Sequence, residues 1–131
     1  MSHKRNKTPA LAILICSPTI DRPELCVTPL VHATVARAMD CEVEIHFAGP
    51  AVRLLVEGVP DALYPTPARE KSIREFLHDA SSSGVSLLAC GMARATWIGE
   101  DEHLIPECDG IVGAATFVAR AIDPDWATLV F

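Results

Sequence analysis

Five cysteines are the residues whose chemistry stands out first in this chain of 131 residues. The closest pair, at positions 16 and 26, is ten residues apart, whereas cysteines and histidines that bind zinc come in closely spaced pairs. We therefore expect no metal site and no cofactor. Because the number is odd and no clear secretory signal precedes them, free thiols in a reducing cytoplasm are favoured. The cysteines are Cys16, Cys26, Cys41, Cys90 and Cys108.

Cys90 is the strongest candidate nucleophile. It ends the apolar run 85–90 and precedes Gly91 and the segment 92–97, which fits one or two helical turns. A thiol at such a strand-to-helix junction faces backbone N–H groups without partners, and these donors and the helix dipole stabilise a thiolate. Gly91 leaves the sulfur unshielded, and Arg94 adds positive charge one turn later. The alternative is that Cys90 is only a small buried apolar residue.

The other four cysteines receive weaker assignments. Cys16 follows the first predicted strand and either joins the site of Cys90 or belongs to the core. Cys26 is placed in the loop above that strand end and is a candidate second thiol. Cys41 precedes its strand at the opposite end of the sheet, so we expect it to be inert. Cys108 lies in an exposed connection, as a resolving thiol or a bystander.

Charge and motif content exclude several classes of function. There are 11 Lys and Arg against 17 Asp and Glu, a net charge of −6, so no cationic surplus is available for a nucleic-acid backbone. No apolar run approaches the length of a membrane span. The sequence contains no dinucleotide-binding Gly-x-Gly-x-x-Gly, no Walker loop and no Gly-x-Ser-x-Gly elbow. We therefore expect neither a nucleic acid nor a membrane as a partner.

Strands and helices alternate along the chain. The apolar runs 11–16 and 85–90 predict strands buried on both faces, and the alternating segment 42–47 predicts a strand with one polar face or a position near an edge. Further strands are predicted at 111–112 and 126–131. Helices are predicted to begin with Thr28 as N-cap and Pro29 at the first position, and over the segments 51–56, 68–80, 92–97 and 114–122.

This alternation predicts an α/β fold with a mostly parallel sheet and helices on both faces. Residues 1–9 are expected to form a flexible N-terminus, and residues 10–131 a single domain. The basic residues before the first strand imitate a signal peptide, but no cleavage site follows, so a buried strand is the better interpretation. In parallel sheets, ligands gather beyond the carboxyl ends of the strands, where Cys16 and Cys90 would both lie.

Several segments, in their order and spacing, resemble the DsrE/DsrF-like family of small sulfur-relay proteins. The resemblance runs from about Leu11 to Phe131. It implies a three-layer α/β/α sandwich with five strands that packs as a homo-oligomer, a trimer or a hexamer. It also implies that Cys90 matches the family's active cysteine, which carries sulfane sulfur as a persulfide. The segments are Ala38–Phe47, Leu87–Cys90, Leu104–Phe117, Asp123–Trp126 and Leu129–Phe131.

The main hypothesis is a cytoplasmic sulfurtransferase or sulfur carrier that moves sulfane sulfur between protein thiols through Cys90. In relay members of the family, a rhodanese or a TusA-like carrier delivers the sulfur and another carrier receives it. One alternative is a non-enzymatic oligomeric module that binds a small ligand or a partner, with Cys90 in its pocket wall. The other is a thiol redox protein that pairs Cys90 with Cys26 or Cys108. The helix of small residues at 114–121 favours close packing against a second subunit.

Overall fold

Five strands form one sheet within residues 8–131, which are the residues that the computed structural model describes. Every pair of neighbouring strands in it is parallel. The strands are β1 (Ala10–Ile15), β2 (Glu42–Phe47), β3 (Ser86–Cys90), β4 (Cys108–Val112) and β5 (Trp126–Val130), in the order β4-β3-β2-β1-β5. Most of the N-terminus predicted to be flexible lies outside the described residues.

Helices cover both faces of the sheet, which confirms the predicted α/β fold. The α-helices are α1 (Pro23–Ala38), α2 (Ile73–Ser83), α3 (Gly91–Trp97) and α4 (Ala114–Ala121), with 3₁₀ segments at Gly49–Leu55 and Pro60–Ala62. Helices α1 and α2 pack together over the side of the sheet that carries Ile13, Ile45 and Leu87, here called the core face. Helix α4 packs against β1 and β5 on the other side, here called the α4 face.

β1 is an interior strand of the sheet, because it has a neighbouring strand on each side. Its apolar residues pair with β2 along one edge and with β5 along the other, and Ala10 pairs with both Glu42 and Trp126. Such continuous burial suits the uninterrupted apolar run from which the strand was predicted. The main core lies between the core face and α1 and α2, and its largest fully buried side chains include Phe47, Ile13 and Leu30.

β2 has the predicted polar face, but that face is buried, and the alternative of an edge position is wrong. The strand lies at the centre of the sheet, and its side chains Glu44 and His46 are only 7% and 3% exposed. Alternation of polar and apolar residues ordinarily indicates a solvated face. Here the polar side chains are buried because Arg120, on α4, supplies a charged partner from a distant part of the sequence. A local pattern cannot report such a partner.

The first helix begins six residues earlier than predicted. Its first residue is Pro23, whose fixed φ suits the first position, and Pro29 lies inside the helix and is buried. A proline inside a helix removes one backbone hydrogen bond, so it normally marks a helix start or a break. In α1 the loss is offset by apolar burial on the same face, which includes Cys26 and Leu30.

The second helix begins at Ile73 instead of the predicted Ala68. Ser72 is its N-cap: the backbone N–H of Glu75 donates to Ser72 Oγ at 3.2 Å, and the Ser72 N–H donates to Glu75 Oε2 at 2.7 Å. This reciprocal capping box satisfies two backbone donors and sets the start of the helix. The helix ends at Gly84, whose φ of 105° lies in the left-handed region that glycine adopts without strain.

Candidate functional site

Cys90 lies at the junction of β3 and α3. It is the last residue of the strand and the N-cap of the helix, with extended backbone angles (φ −71°, ψ 125°). Within residues 8–131, its side chain makes no hydrogen bond that caps α3. The thiol is partly exposed. Its sulfur is therefore accessible to solvent at the carboxyl edge of the sheet and is not engaged by the turn that it begins.

Alternation along β3 sets the direction of the Cys90 side chain. Leu87 and Ala89 are fully buried on the core face. Leu88 and Cys90 are partly exposed, and they belong to the α4 face because successive side chains of a strand point to opposite faces. Helix α4 packs mainly against β1 and β5. Cys90 also packs against the buried core, so its side chain is half-buried.

Gly91 and Arg94 occupy the positions expected for them beside Cys90. A Cβ added at Gly91 would lie 3.5 Å from Ile111 Cγ2 and 3.6 Å from the Val112 carbonyl oxygen, which are ordinary contacts. Packing alone therefore does not require glycine at this position. Arg94 is exposed and belongs to the last turn of α3. The assistance expected of both residues stays a prediction.

Cys26 is in a different place from the one predicted. It belongs to α1 instead of a loop and is fully buried in the core. Its Sγ donates to the carbonyl oxygen of Thr19 at 3.2 Å and to that of Arg22 at 3.5 Å. Burial raises the pKa of the Cys26 thiol to about 11. A thiol of this kind is a structural group, because the reactive form of cysteine is the thiolate.

Cys16 lies directly after β1, at the same edge of the sheet as Cys90. Its side chain is partly exposed, and its Sγ donates to the carbonyl oxygen of Phe131 at 3.4 Å. The backbone N–H of Cys16 donates to the same oxygen at 3.0 Å. The predicted position beyond the carboxyl end of β1 is therefore confirmed, and the chain end beside β5 holds this residue in place.

Cys108 lies away from Cys90. It pairs with Leu87, three residues before Cys90, which is a distance of about 10 Å along the strand. Its side chain packs against the buried core, and its Sγ donates to the Gly110 carbonyl oxygen at 3.5 Å. Burial raises the pKa of the Cys108 thiol. A disulfide between Cys108 and Cys90 would require their two Cα atoms to lie about 7 Å apart or less, and this geometry does not suit that.

A buried ionic cluster on the α4 face was missed by the sequence analysis. Glu44 Oε1 accepts hydrogen bonds from His46 Nε2 and from Arg120 Nε, each at 2.9 Å. Arg120 also lies over the ring of Trp126, with its Cζ 4.1 Å from the ring centroid. Burial would raise the pKa of the Glu44 carboxyl, but hydrogen bonds from Arg120 and His46 outweigh it and lower that pKa. The cluster fixes α4 to the centre of the sheet.

A second charged network joins α2 to the start of β4. Glu107 accepts a hydrogen bond from His78 Nδ1 at 3.0 Å and forms an ion pair with Arg74 Nη2 at 3.0 Å. Arg74 also pairs with Asp61 at 3.3 Å. Burial opposes ionisation of Glu107, yet hydrogen bonds from His78 and Arg74 lower the pKa of its carboxyl. The residues of this network fall between positions 61 and 107 and lie on the outer side of α2. Cys90 is not one of them.

In the part of the chain that the structure describes, no three His, Cys, Asp or Glu side chains are grouped so as to hold a metal ion. No helix among residues 8–131 combines the length and the apolar character that crossing a bilayer requires. A surface hollow of about 630 Å³ lies at the start of α1 and along the segment 62–69.

These features define an α/β protein with a five-stranded parallel sheet and an accessible thiol at the carboxyl edge of β3. The family model of the DsrE/DsrF-like family matches residues 10–131, so the chain belongs to that family, whose members generally act in sulfur relay.

Solved structures support the same fold. The YchN protein of E. coli superimposes with a TM-score of 0.72 at 15% identity, over 95% of this chain and 100% of that one. The MTH1491 protein of Methanobacterium thermoautotrophicum, described as of unknown function, superimposes with a TM-score of 0.61 at 19% identity, over 94% and 99%. No functionally curated protein matches the sequence. At these identities the likeness establishes the fold alone.

Proposed function

We propose that this protein is a cytoplasmic sulfurtransferase or sulfur carrier that holds sulfane sulfur as a persulfide on Cys90. The observation that carries the proposal is the partly exposed Cys90 residue at the junction of β3 and α3, where its side chain makes no capping hydrogen bond. Membership of the DsrE/DsrF-like family supports the sulfur chemistry. The buried Cys26 thiol and the half-buried Cys108 thiol, whose pKa values are raised, are poorer candidates.

The reaction is two successive displacements at sulfur. The Cys90 thiolate attacks the outer sulfur of a donor persulfide, the donor's S–S bond breaks, and the donor leaves as a thiolate. Cys90 then carries the transferred sulfur as Cys–S–S⁻. An acceptor thiolate attacks this outer sulfur, and the Cys90 thiolate is the leaving group. No electrons are gained or lost overall, so the cycle requires neither a metal nor a redox cofactor.

The partners of this cycle are other proteins with reactive thiols. A rhodanese or a TusA-like carrier is the proposed donor, and a second carrier is the proposed acceptor. Because α3 is short and Cys90 is only partly exposed, a narrow, extended partner loop fits the site better than a broad surface does. The net charge of −6 disfavours strongly acidic partners.

We also propose that the working form is a homo-oligomer, a trimer or a hexamer. Helix α4 has an apolar side but contains no buried residue in the described chain. Val118 and Ile122 are 53% and 79% exposed, and Val130 on the edge strand β5 is 63% exposed. Neighbouring exposed apolar side chains of this kind mark a surface that another subunit covers.

Intact mass spectrometry tests the proposed role of Cys90. The full chain is incubated with thiosulfate and a rhodanese, or with inorganic polysulfide, and compared with Cys90→Ser and Cys41→Ser. We expect an adduct of about 32 Da, one sulfur atom, on the wild type and on Cys41→Ser, and its loss in Cys90→Ser. Cys41 is the matched control because it is also partly exposed but precedes β2, at the opposite edge of the sheet. An adduct that persists in Cys90→Ser contradicts the proposal.

A non-enzymatic binding module is the second candidate, and the hollow at the start of α1 is the observation in its favour. Pro23, Tyr64 and Arg69 are among its lining residues, and Arg69 lies over the Tyr64 ring with its Cζ 4.8 Å from the centroid. Occupancy of this hollow by a small anion would protect Arg69 from modification by phenylglyoxal. Such protection, together with a Cys90 thiol that takes up no sulfur, favours the binding module.

A further inference from the structure

An extra residue interrupts the pairing of β3 with β4. Leu87 pairs with Cys108, but the next residue of β3 skips one position and pairs with Gly110. Asp109 is thus left out of the register and forms a β-bulge. Bulges are rare between parallel strands, and they concentrate beside active sites, where they re-aim a side chain or end the pairing of two strands. The bulge in β4 therefore invites a functional explanation.

The side chain of Asp109 replaces a backbone acceptor at the bulge. The backbone N–H of Leu87 donates to Asp109 Oδ2 at 2.8 Å. In an uninterrupted ladder, a carbonyl oxygen of the neighbouring strand would accept this hydrogen bond. Leu87 is fully buried, so water cannot take the place of the missing acceptor. The carboxylate stabilises the bulge at the point where the ladder is broken.

The position of β4 in the sheet makes its register depend on this bond. Within residues 8–131, β4 is an edge strand and β3 is the strand with which it pairs. A strand inside a sheet is held in register from both sides, whereas β4 is held from one side by an interrupted ladder. A slip of one residue would move each of its side chains to the other face of the sheet. The hydrogen bond to Asp109 opposes that slip.

The bulge decides which residue lies beside Leu88. In the observed register this residue is Gly110, and in a register without the bulge it would be Asp109. Leu88 and Cys90 are two positions apart in one strand, so they belong to the same face of the sheet. A carboxylate on this face would disfavour the Cys90 thiolate and its persulfide, because both are anions. The bulge keeps that charge between the strands.

The bulge also brings the ends of β3 and β4 level with each other. Cys90 and Val112, the last residues of the two strands, lie side by side. Without the bulge, Ile111 would lie beside Cys90, and β4 would extend one residue, about 3.3 Å, beyond the end of β3. That residue would flank the junction at which Cys90 begins α3. The observed register leaves the junction free of it.

We propose that Asp109 is a positioning residue for Cys90, which holds β4 in the register that keeps both a carboxylate and an additional β4 residue away from the thiol. This inference rests on the proposed function, because it gives Asp109 a part in the reactivity of Cys90 toward sulfur donors. Asp109 acts through the backbone of Leu87 and touches neither the donor nor the transferred sulfur. Its role requires the position of its oxygen and not its negative charge.

Three variants at position 109 test the importance of the register. Asp109→Asn keeps an acceptor oxygen without the charge, Asp109→Ala removes the acceptor, and deletion of Asp109 removes the bulge but leaves Gly110 beside Leu88. Each full chain is treated with iodoacetamide at neutral pH, and peptide mass spectrometry gives the labelling rate of Cys90 relative to that of Cys16. Cys16 is the internal reference because it is also partly exposed at the carboxyl edge but follows β1, three strands away from β4.

The relative rate should stay within two-fold of the wild type in Asp109→Asn and in the deletion variant. In Asp109→Ala it should fall at least five-fold, because the Leu87 N–H loses its acceptor and β4 slips to the uninterrupted register. Nuclear Overhauser contacts report the slip directly, since Cys90 should lie beside Val112 in the wild type and beside Ile111 in Asp109→Ala.

The deletion variant separates this role from a general contribution to stability. It lacks the Asp109 side chain altogether, yet it retains the register, so an unchanged relative rate supports the inference. A deletion variant with impaired Cys90 labelling overturns it, and so does Asp109→Ala with the wild-type rate. If Asp109→Ala does not fold, the deletion variant alone decides between these outcomes.

A substitution at Gly110 tests the effect of charge beside Leu88. In the described chain, a Cβ added at Gly110 would meet no atom within 4 Å apart from its chain neighbours, so Gly110→Asp and its neutral control Gly110→Asn both have room. In the Asp variant alone, the pH–rate profile for labelling of Cys90 should move to higher pH, with roughly three-fold slower labelling at neutral pH. Identical profiles for the two variants overturn the inference. Because labelling requires no sulfur donor, a Cys90 that behaves as expected here but takes up no sulfur defeats the proposed function alone.

Discussion

At the scale of single residues, the five thiols are distinguished by backbone position. Cys90 and Cys16 end strands at the carboxyl edge and are partly exposed, whereas Cys26 lies in α1 and is sealed in the core. Cysteine is one of the residue types most often buried, so identity alone says little about reactivity. The position of each thiol relative to strand ends decides which can meet a reactant.

The raised pKa of Cys26 predicts its reactivity. At neutral pH, iodoacetamide should modify Cys90 at least ten-fold faster than Cys26, because Cys26 is buried and its pKa is about 11. The measurement is peptide mass spectrometry over a time course in native buffer. In a denaturing buffer, which removes the burial, the two rates should converge. Equal rates in the native protein would contradict the buried position of Cys26.

The chemical candidate could be predicted from the sequence, but its surroundings could not. Cys90 ends an apolar run and precedes glycine, and both are local signals for a strand end. The error at Cys26 follows from the interpretation of Pro29 as a helix start, since a proline inside a helix costs about 3 kcal/mol and is rare. The competing signal was Pro23, which suits the first helical position equally well.

At the scale of elements, a buried ion pair joins α4 to the central strand of the sheet. The helix contains no buried residue within the described chain, yet its Arg120 reaches Glu44 in the central strand. Phe117 adds a ring contact with His46, with centroids 5.3 Å apart. The sequence could predict the existence of this helix and of β2, but not their contact, because 76 positions separate the two charged residues.

Substitution of Arg120 tests this attachment. We expect Arg120→Met to lower the free energy of unfolding by about 2 kcal/mol, because Glu44 would lose a charged hydrogen-bond donor. This expected loss of stability is smaller than the loss for a fully buried ion pair, because the Arg120 side chain is one-third exposed. Urea denaturation followed by circular dichroism measures the change.

An exposed ion pair provides the control for this substitution. Arg22 pairs with Glu24 at 3.1 Å, and both side chains are about half exposed or more. Arg22→Met should therefore leave stability unchanged within error. If Arg120→Met also leaves the free energy of unfolding unchanged, the buried cluster does not hold α4 on the sheet.

At the scale of the whole molecule, the carboxylates predict a loss of stability in acid. Hydrogen bonds from Arg53 and from the Gly99 N–H hold the pKa of Glu102 at about 2, and the pKa of Glu44 and that of Glu107 are also lowered. A carboxyl group whose pKa is lower in the folded state than in the unfolded chain stabilises the folded state. The stabilisation is fully present at pH values above the unfolded pKa, near 4.5, and is lost as the pH falls below it.

The urea midpoint should therefore be nearly constant from pH 7 to pH 5 and should fall progressively between about pH 4.5 and pH 2. Equilibrium unfolding at each pH provides the test. Glu102→Gln should flatten the lower part of this profile, since it removes a carboxyl whose pKa in the folded protein is about 2. A midpoint that rises in acid would contradict the assigned shifts.

The surface of α4 predicts how copies of the chain assemble. Ile122→Asp places a charge on an exposed apolar position of this surface and should shift the protein from a trimer or hexamer toward the monomer. Light scattering coupled to size-exclusion chromatography measures the mass. Ser82→Asp, on an exposed polar residue near the end of α2, is the control and should leave the mass unchanged. A monomeric wild-type chain would contradict the proposed assembly.

The strand order also has a consequence for biosynthesis. The β1 strand pairs with β5 through residues as far apart as Ala10 and Trp126, which are 116 positions from each other. While the ribosome is still translating, β1 can join β2, but its other side has no strand to pair with. A nascent chain therefore exposes an unpaired apolar edge until its last segment emerges, and this interval is when chaperones would protect it from aggregation.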